Sequence, residues 1–430
     1  MNLRPYQNDL INSARLSFRN GIKSIIICLP TGGGKTLLTA AMIKSAMQKG
    51  RSCLFIVHRR ELVKQTISAF NSLDIPHGVI SAGFNPDSSK LIQIASIQTL
   101  ARRQINFKPD LAVFDECQHL AAANWATQFN SFDCYKIGLT ATPCRLDGRG
   151  LSDYAQVMIN GPSMRWLIEN KYLSDYKLFM PPTDISLAGV HTRMGDYAVS
   201  ELSSIIDKPK ISGHAVQEYI KRAQGKRAII FCVNVAHSKN VIEQFQLANI
   251  PSAHLDGTVS QAERDETIDK FKRGEILALS NSDLFGEGLD IPAVECAILL
   301  RPTKSLSLYL QQVGRALRTS ANKTHAVIID HVRNCEFHGL PCEEREWTLQ
   351  GIKKRTDENK LKVKTCPICF AALKQTVSIC QFCQHEFKPE ARPEAELNFN
   401  DQELVEVDKT ALRRSNNIDQ GMAKTKDQLV

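Results

Sequence analysis

No apolar stretch in the 430-residue chain approaches the roughly 20 residues that cross a bilayer as a helix, so no membrane span and no membrane partner are expected. The first ten residues, MNLRPYQNDL, are polar and lack the apolar core of a secretory leader, which makes a cytoplasmic location the expectation. Thirteen cysteines are too dilute and too unevenly spread for a disulfide framework. Cys28, Cys53, Cys232 and Cys296 sit inside apolar runs and read as small buried hydrophobes, a usage that fits a reducing compartment. Short-period repeats are absent, which excludes a solenoid, and no nuclease motif is found. What is present is the ordinary composition of a soluble globular chain, long enough for two or three domains. A formal net charge of +9 favours an anionic partner, of which nucleic acid is the commonest.

Short apolar runs alternate with helix-like stretches through the first 150 residues. The runs Ser24–Leu29, Ser52–Val57, Leu91–Ala95, Leu111–Phe114 and Tyr135–Leu139 read as strands of a parallel sheet covered on both faces. The pattern weakens between residues 155 and 214 and resumes at Arg227–Val233, Ile276–Ser280, Cys296–Leu300 and His325–Ile329, which predicts a second sheet of the same class. The tail from Glu390 is rich in Glu, Asp, Asn and Gln; its few apolar residues cannot offset ordering entropy, and disorder is expected there.

Pro30–Thr36, PTGGGKT, follows a strand and opens a helix, the context that makes a glycine-rich string a phosphate cradle. The backbone of Pro30, Thr31, Gly32, Gly33 and Gly34 lines such a turn, with N–H donors from the residues after the proline, and the helix N-terminus adds partial positive charge. Lys35 would reach the β- and γ-phosphates and the Thr36 hydroxyl would bind Mg²⁺. Leu29 stands where the general pattern has glycine. The carboxylates Asp115 and Glu116 follow the run Leu111–Phe114, beside the crevice at the end of a parallel strand. Asp115 would hold Mg²⁺, usually through water, and Glu116 would orient and deprotonate the attacking water.

The string DECQ at 115–118 resembles the DEAD/DEAH/DECH box of superfamily 2 helicases, with Gln118 in place of the usual His or Asp. In that superfamily the fourth residue couples the nucleotide site to the next motif, so Gln118 puts that coupling in question. Other segments resemble the same superfamily in order. Arg4 and Gln7, in LRPYQ, match the adenine-reading element, whose amide can both donate and accept. Arg60 matches motif Ia, and Ser96 and Thr99, in SIQTL, match the strand-contacting motif after it. Thr140 and Thr142, in TATP, resemble the motif linking ATP state to strand binding. Asn234, Asp256 and Gly257 fall at the looser motif IV. Gly288 and Asp290, in GLDIP, resemble motif V, with Asp290 near the ribose or the phosphate loop. Gln311, Arg315 and Arg318 match motif VI; on a helix their spacing of four and three puts them on one face, with both arginines aimed at the γ-phosphate.

Cys366, Cys369, Cys380 and Cys383 form two C-x-x-C pairs that can wrap one tetrahedral Zn²⁺, which would fold a segment too small for its own core; Phe370, Phe382 and Phe387 are expected to pack that core. Together with LTATPCRLDGRG, the Gly195–Tyr197 string and DHVRNCEFHGLP, this module makes the chain similar to the RadD-like helicases, a bacterial and phage group near the restriction-enzyme helicase subunits. The resemblance implies an α/β fold of two tandem RecA-like domains followed by a small zinc ribbon. The boundaries expected are 1–163, a connection over 164–212, 213–350, a charged linker over 351–363, the ribbon over 364–389 and a tail over 390–430. It also implies ATP-dependent action on single-stranded or branched DNA in repair or recombination, with repair or single-strand-binding proteins as partners. Action on RNA and an ATP-gated adaptor without unwinding are the alternatives, because the motifs themselves grip phosphates of either nucleic acid.

Overall fold

The computed structural model describes residues 3–387, apart from 59, 104, 145–149, 181–188, 194, 208, 283–293, 322, 353–362 and 375. Residues 353–362 of the expected linker, the expected tail, and the motif V residues Gly288 and Asp290 lie outside the described residues.

The first lobe is built on seven parallel strands: β1 (Ser24–Cys28), β2 (Cys53–Val57), β3 (Gly78–Ile80), β4 (Ile92–Ser96), β5 (Leu111–Asp115), β6 (Tyr135–Thr140) and β7 (Val157–Asn160). Their order across the sheet is β3-β4-β2-β5-β6-β1-β7, and every pairing is parallel. β2 and β4 are buried at every position because helices cover both faces, which is why these strands read as unbroken apolar runs. The order places β1, β5 and β6 side by side, so the phosphate loop after β1, the acidic pair at the end of β5 and the threonines after β6 emerge at one sheet edge.

The second lobe has six parallel strands. β8 (Tyr176–Phe179) forms one edge, and β11 (Ala228–Phe231), β12 (Ser252–His254), β13 (Ala278–Asn281), β14 (Cys296–Leu299) and β15 (Ala326–Asp330) complete the order β12-β13-β11-β14-β15-β8. β8 lies in the segment expected to be a connection; it belongs instead to the second sheet, paired with β15. A small antiparallel hairpin, β9 (Thr192–Arg193) and β10 (Asp196–Tyr197), precedes the rest of the lobe. After it, residues 341–352 return to the first lobe: Leu151 N–H donates to Leu349 O at 2.7 Å, and Asn160 Nδ2 donates to Trp347 O at 3.3 Å. A further antiparallel pair, β16 (Trp347–Thr348) and β17 (Gly351–Ile352), closes this strap.

β18 (Val363–Thr365) pairs with β19 (Ala372–Lys374) in the cysteine module. The module lies against the outer edge of the second sheet, through a bridge between Phe179 and Ala371 and a 3.0 Å bond from Met180 N–H to Phe370 O. Phe370 and Phe382 do not fill a core of their own. Phe382 meets Phe179, and Phe370 lies under Lys221, 5.5 Å from its ring centre. By contacts the chain divides into Met1–Glu386, which holds both sheets and the cysteine module, and a unit from Phe387 onward, of which only Phe387 is described.

Candidate active site

The phosphate loop is a main-chain structure with its strain placed on glycines. Gly32 and Gly34 have φ of 82° and 85°, in the left-handed region that L side chains avoid. A Cβ on Gly32 would lie 2.7 Å from Leu173, and one on Gly34 would lie 2.6 Å from the Gln7 amide. Leu29 is fully buried, and a Cβ on Gly33 would meet its Cγ at 2.8 Å, so the residue that departs from the glycine pattern forms the floor on which the loop rests. Lys35 opens the helix Lys35–Met47, and its Nζ donates to Leu29 O at 3.4 Å.

Gln7 is buried and both ends of its amide are engaged. Oε1 accepts from Arg4 N–H at 2.9 Å, and Nε2 donates to Gly34 O at 3.1 Å. It therefore holds the loop, and the side chains that reach the cleft here are Arg4 and Tyr172, with the guanidinium 4.8 Å from the Tyr172 ring centre. Arg4 also donates to Tyr6 OH, which donates to Gly33 O at 2.7 Å. Sequence reasoning missed Tyr172, which carries no motif.

Glu116 sits at φ 51°, an uncommon conformation for a residue with a side chain, and its N–H donates to Asp115 Oδ1 at 3.1 Å. Its carboxylate receives one amide from each lobe: Gln118 Nε2 at 2.9 Å and Gln311 Nε2 at 3.4 Å. The other end of the Gln118 amide accepts from Thr140 Oγ1 at 2.6 Å, and Thr140 Oγ1 accepts from Thr142 N–H at 3.0 Å. Thr142 Oγ1 then donates to Ser307 Oγ at 2.7 Å. Ser307 and Gln311 are four residues apart on the helix Leu306–Ala316, so the bonds close into a ring across the two lobes. Gln118, Thr140 and Thr142 are buried within it. A glutamine suits this place because its side chain both donates and accepts, as a carboxylate cannot.

Arg315 lies on the same helix and is largely buried. Arg318 does not share its helical face, because the helix ends at Ala316; both arginines nevertheless line one cleft of about 470 Å³, with Lys35, Thr36, Asp115, Glu116 and Gln311. Lys323 holds that helix end. Its ammonium donates to the carbonyls of Ala316, Arg318 (2.7 Å) and Val294 (2.8 Å), and burial pushes its pKa down to about 8. Gly314 lets the helix touch the phosphate loop: a Cβ there would lie 2.7 Å from Thr31 Cβ.

The residues expected to contact nucleic acid are placed differently. Arg60 opens the helix Arg60–Ser72, with its side chain outside the described residues. Ser96 and Thr99 are buried, and their hydroxyls bond each other at 2.8 Å. Asn234 caps the helix Val235–Leu247 by accepting from His237 N–H. Asp256 is buried, held well below the usual carboxylate range by the Thr258 hydroxyl and by His254. Gly257 is exposed, and a Cβ there would meet no neighbour within 4 Å. These polar side chains shape turns and caps, and the exposed residue in SIQTL is Gln98.

In the cysteine module the sulfurs of Cys366, Cys369, Cys380 and Cys383 all lie within 4.8 Å of one another. The two C-x-x-C turns match: Phe370 N–H donates to Cys366 O and Gln384 N–H to Cys380 O, both at 2.8 Å, with Phe370 and Gln384 at φ 58° and 60°.

Residues 1–145 match the family model described as Type III restriction enzyme, res subunit, and residues 212–320 the one described as Helicase conserved C-terminal domain. A 51.5 kDa protein of Lactococcus phage (isolate 7-9) is 34% identical over 388 residues, 89% of this chain and 83% of its own. The chain belongs to the superfamily 2 helicases. It is by family a nucleic-acid-dependent ATPase. The putative ATP-dependent helicase IRC3 of Saccharomyces cerevisiae (strain ATCC 204508 / S288c) is 31% identical over 353 residues, 77% of this helicase and 51% of the yeast chain. This helicase thus spans about half the length of that relative. The solved ATP-dependent Type ISP restriction-modification enzyme LlaBIII, bound to DNA, shares the fold with a TM-score of 0.59 at 17% identity, over 77% of this helicase and 27% of that chain. Among the described residues no helix is long and apolar enough to cross a membrane.

Proposed function

We propose that this helicase is a DNA-dependent translocase whose ATP cycle opens and closes the cleft between its lobes. The observation that carries the reading is the shared Glu116 carboxylate, bonded by Gln118 from one lobe and Gln311 from the other. A cleft of about 470 Å³ falls in the range of small-ligand sites. In this reading Gly32–Gly34 and the helix N-terminus cradle the phosphates of ATP, and Lys35 swings from Leu29 O to the γ-phosphate. Thr36 and Asp115 offer the hard oxygens that suit Mg²⁺, which neutralises phosphate charge when bound. Glu116 orients the attacking water, and Arg315 and Arg318 meet the charge that develops on the γ-phosphoryl oxygens. Loss of that charge loosens Gln311 and Ser307 from the first lobe through Gln118, Thr140 and Thr142, and the lobes part.

DNA as the substrate, and repair or recombination as the setting, rest on the RadD-like resemblance of the motifs and on the DNA-bound relative. ATP turnover titrated with single-stranded, duplex and forked DNA and with RNA tests this. Stimulation by RNA alone would sink the DNA reading.

The four thiols suit a tetrahedral Zn²⁺ that would staple a module with little core of its own. Changing Cys366 and Cys369 to Ser should remove one equivalent of zinc, measured by elemental analysis of the purified protein. An unchanged metal content refutes the site.

A further inference from the structure

The string Gly195–Tyr197 lies outside the cleft, and no step proposed above uses it. It supplies the turn and second strand of the β9–β10 hairpin, with Gly195 at φ 86°. Asp196 turns this hairpin into a clamp on the segment Arg301–Ser305. Its Oδ2 accepts from the Thr303 hydroxyl at 2.9 Å, and its Oδ1 accepts from Lys304 N–H at 2.7 Å. The Arg301 guanidinium lies 3.8 Å from the same carboxylate. Lys304 adds a second grip: its ammonium sits 4.6 Å from the Tyr197 ring centre and donates to Thr192 Oγ1 at 2.5 Å.

The clamped segment runs directly into the helix that carries Ser307, Gln311 and Arg315. Thr303 relays the position. Its proton goes to Asp196, which leaves the hydroxyl oxygen to accept Ser305 N–H at 2.9 Å. Ser305 in turn caps the helix by accepting Leu308 N–H at 3.2 Å. From the opposite side Asn334 accepts from Thr303 N–H and donates to Arg301 O, both at 3.0 Å, and His338 donates to Thr303 O at 2.8 Å. Thr303 is buried among these partners, so the segment has one arrangement in which all are satisfied.

We infer that Asp196 is a positioning residue for ATP hydrolysis: through Thr303 and Ser305 it sets where the arginine-bearing helix begins, and so where Arg315 meets the transferred phosphoryl group. The inference rests on the arginine role proposed above. An amide at 196 cannot supply all the acceptors that the carboxylate does. Its NH₂ would turn toward Thr303 or Lys304, and the helix start would shift. A displaced arginine loses contact with the transition state, whereas the phosphate loop still binds the ground state.

The test uses the full chain with its metal and nucleic-acid cofactor. Affinity for a fluorescent ADP is measured alone and with aluminium fluoride, which mimics the transferred phosphoryl group, for wild type, Asp196→Asn, Thr303→Val, Thr303→Ser and Arg315→Ala. Asp196→Asn is expected to bind ADP within about twofold of wild type and the aluminium fluoride complex about tenfold more weakly. Thr303→Val should copy it, and Thr303→Ser, which keeps the hydroxyl, should behave as wild type. A merely structural role would lower the fraction of active protein without changing the ratio of the two affinities. A wild-type ratio in both Asp196→Asn and Thr303→Val overturns the inference, as does equal loss of both affinities. Should Asp196→Asn fail to fold, the two Thr303 variants decide alone. Arg315→Ala separates the two levels. If it too keeps the ratio, the arginine reading fails; if it weakens only the aluminium fluoride complex while Asp196→Asn and Thr303→Val do not, only the hairpin inference fails.

Discussion

The two walls of the cleft are built from different materials. On the side of the first lobe the phosphate cradle is backbone, with left-handed Gly32 and Gly34, a buried Leu29 beneath them and the first turn of a helix, and Lys35, Thr36, Asp115 and Glu116 beside it. On the side of the second lobe it is side chain: Gln311, Arg315 and Arg318, presented by a helix and the turn after it. A backbone wall is defined by what cannot be added to it. A side-chain wall is defined by what holds it from behind, here Asp196 and Ser305 at one end and Lys323 and Ser174 at the other. The first wall is legible as a motif because its chemistry is local. The second depends on partners far along the chain.

The largest expected effect breaks the first wall chemically. Lys35→Ala should lower ATP turnover by about a thousandfold or more, with the melting temperature unchanged. Turnover at the wild-type rate would refute the phosphate-loop assignment. Next is the point where the walls meet. Gly314→Ala puts a methyl 2.7 Å from Thr31 Cβ and should slow turnover by ten- to a hundredfold by holding the lobes apart. Pairing it with Thr31→Gly should restore most of the rate, and failure of that rescue removes the steric explanation.

Gln118→Ala tests whether the walls communicate through the ring. Nucleic-acid stimulation of ATP turnover should fall by about tenfold, and Thr140→Val should give a similar loss, with the double variant no worse than either single one. Additive losses would mean the ring does not act as a unit.

The smallest effect concerns the backing of the second wall. His331 follows β15, fully buried, and burial holds its pKa down to about 3, with the His214 ring beside it. Because the folded pKa is depressed, the unfolded chain binds the extra proton. Stability is therefore present above pH 6.5 and lost as pH falls toward 3. His331→Leu should flatten this dependence by about 2 kcal/mol between pH 6.5 and 5, measured by denaturant unfolding. Asp330, whose pKa burial raises to about 6, acts in the opposite direction but equally in both proteins, so the difference isolates His331.

The sequence made the centre of each sheet readable and the margins obscure. Strands such as Cys53–Val57 are covered on both faces and so appear as continuous apolar runs. Gly78–Ile80 is three residues long, and Val157–Asn160 is half exposed at a sheet edge, so neither carries such a run. Tyr176–Phe179 was hidden for a different reason: it precedes every other strand of its sheet in the chain yet pairs with the last of them, about 150 residues on. Lys35, Asp115, Glu116 and Arg315, which the motifs singled out, line one cleft, because each sits at a strand end or helix that the topology brings together. Ser96, Thr99, Asn234 and Asp256, expected to contact a strand, are engaged in caps and turns, a use of short polar side chains that sequence does not tell apart from ligand contact. Ser307, Lys323 and Asp196 needed the fold, since each acts on residues that only the topology brings near.

β8 is the outermost strand of the second sheet, and an uncovered outermost strand offers its backbone to any extended chain that arrives. Here the cysteine module occupies that place, bridging Ala371 to Phe179 and laying Phe382 over the same residue. Whatever else the module does, it lies across the edge along which one molecule of this helicase could otherwise add itself, strand to strand, to the next.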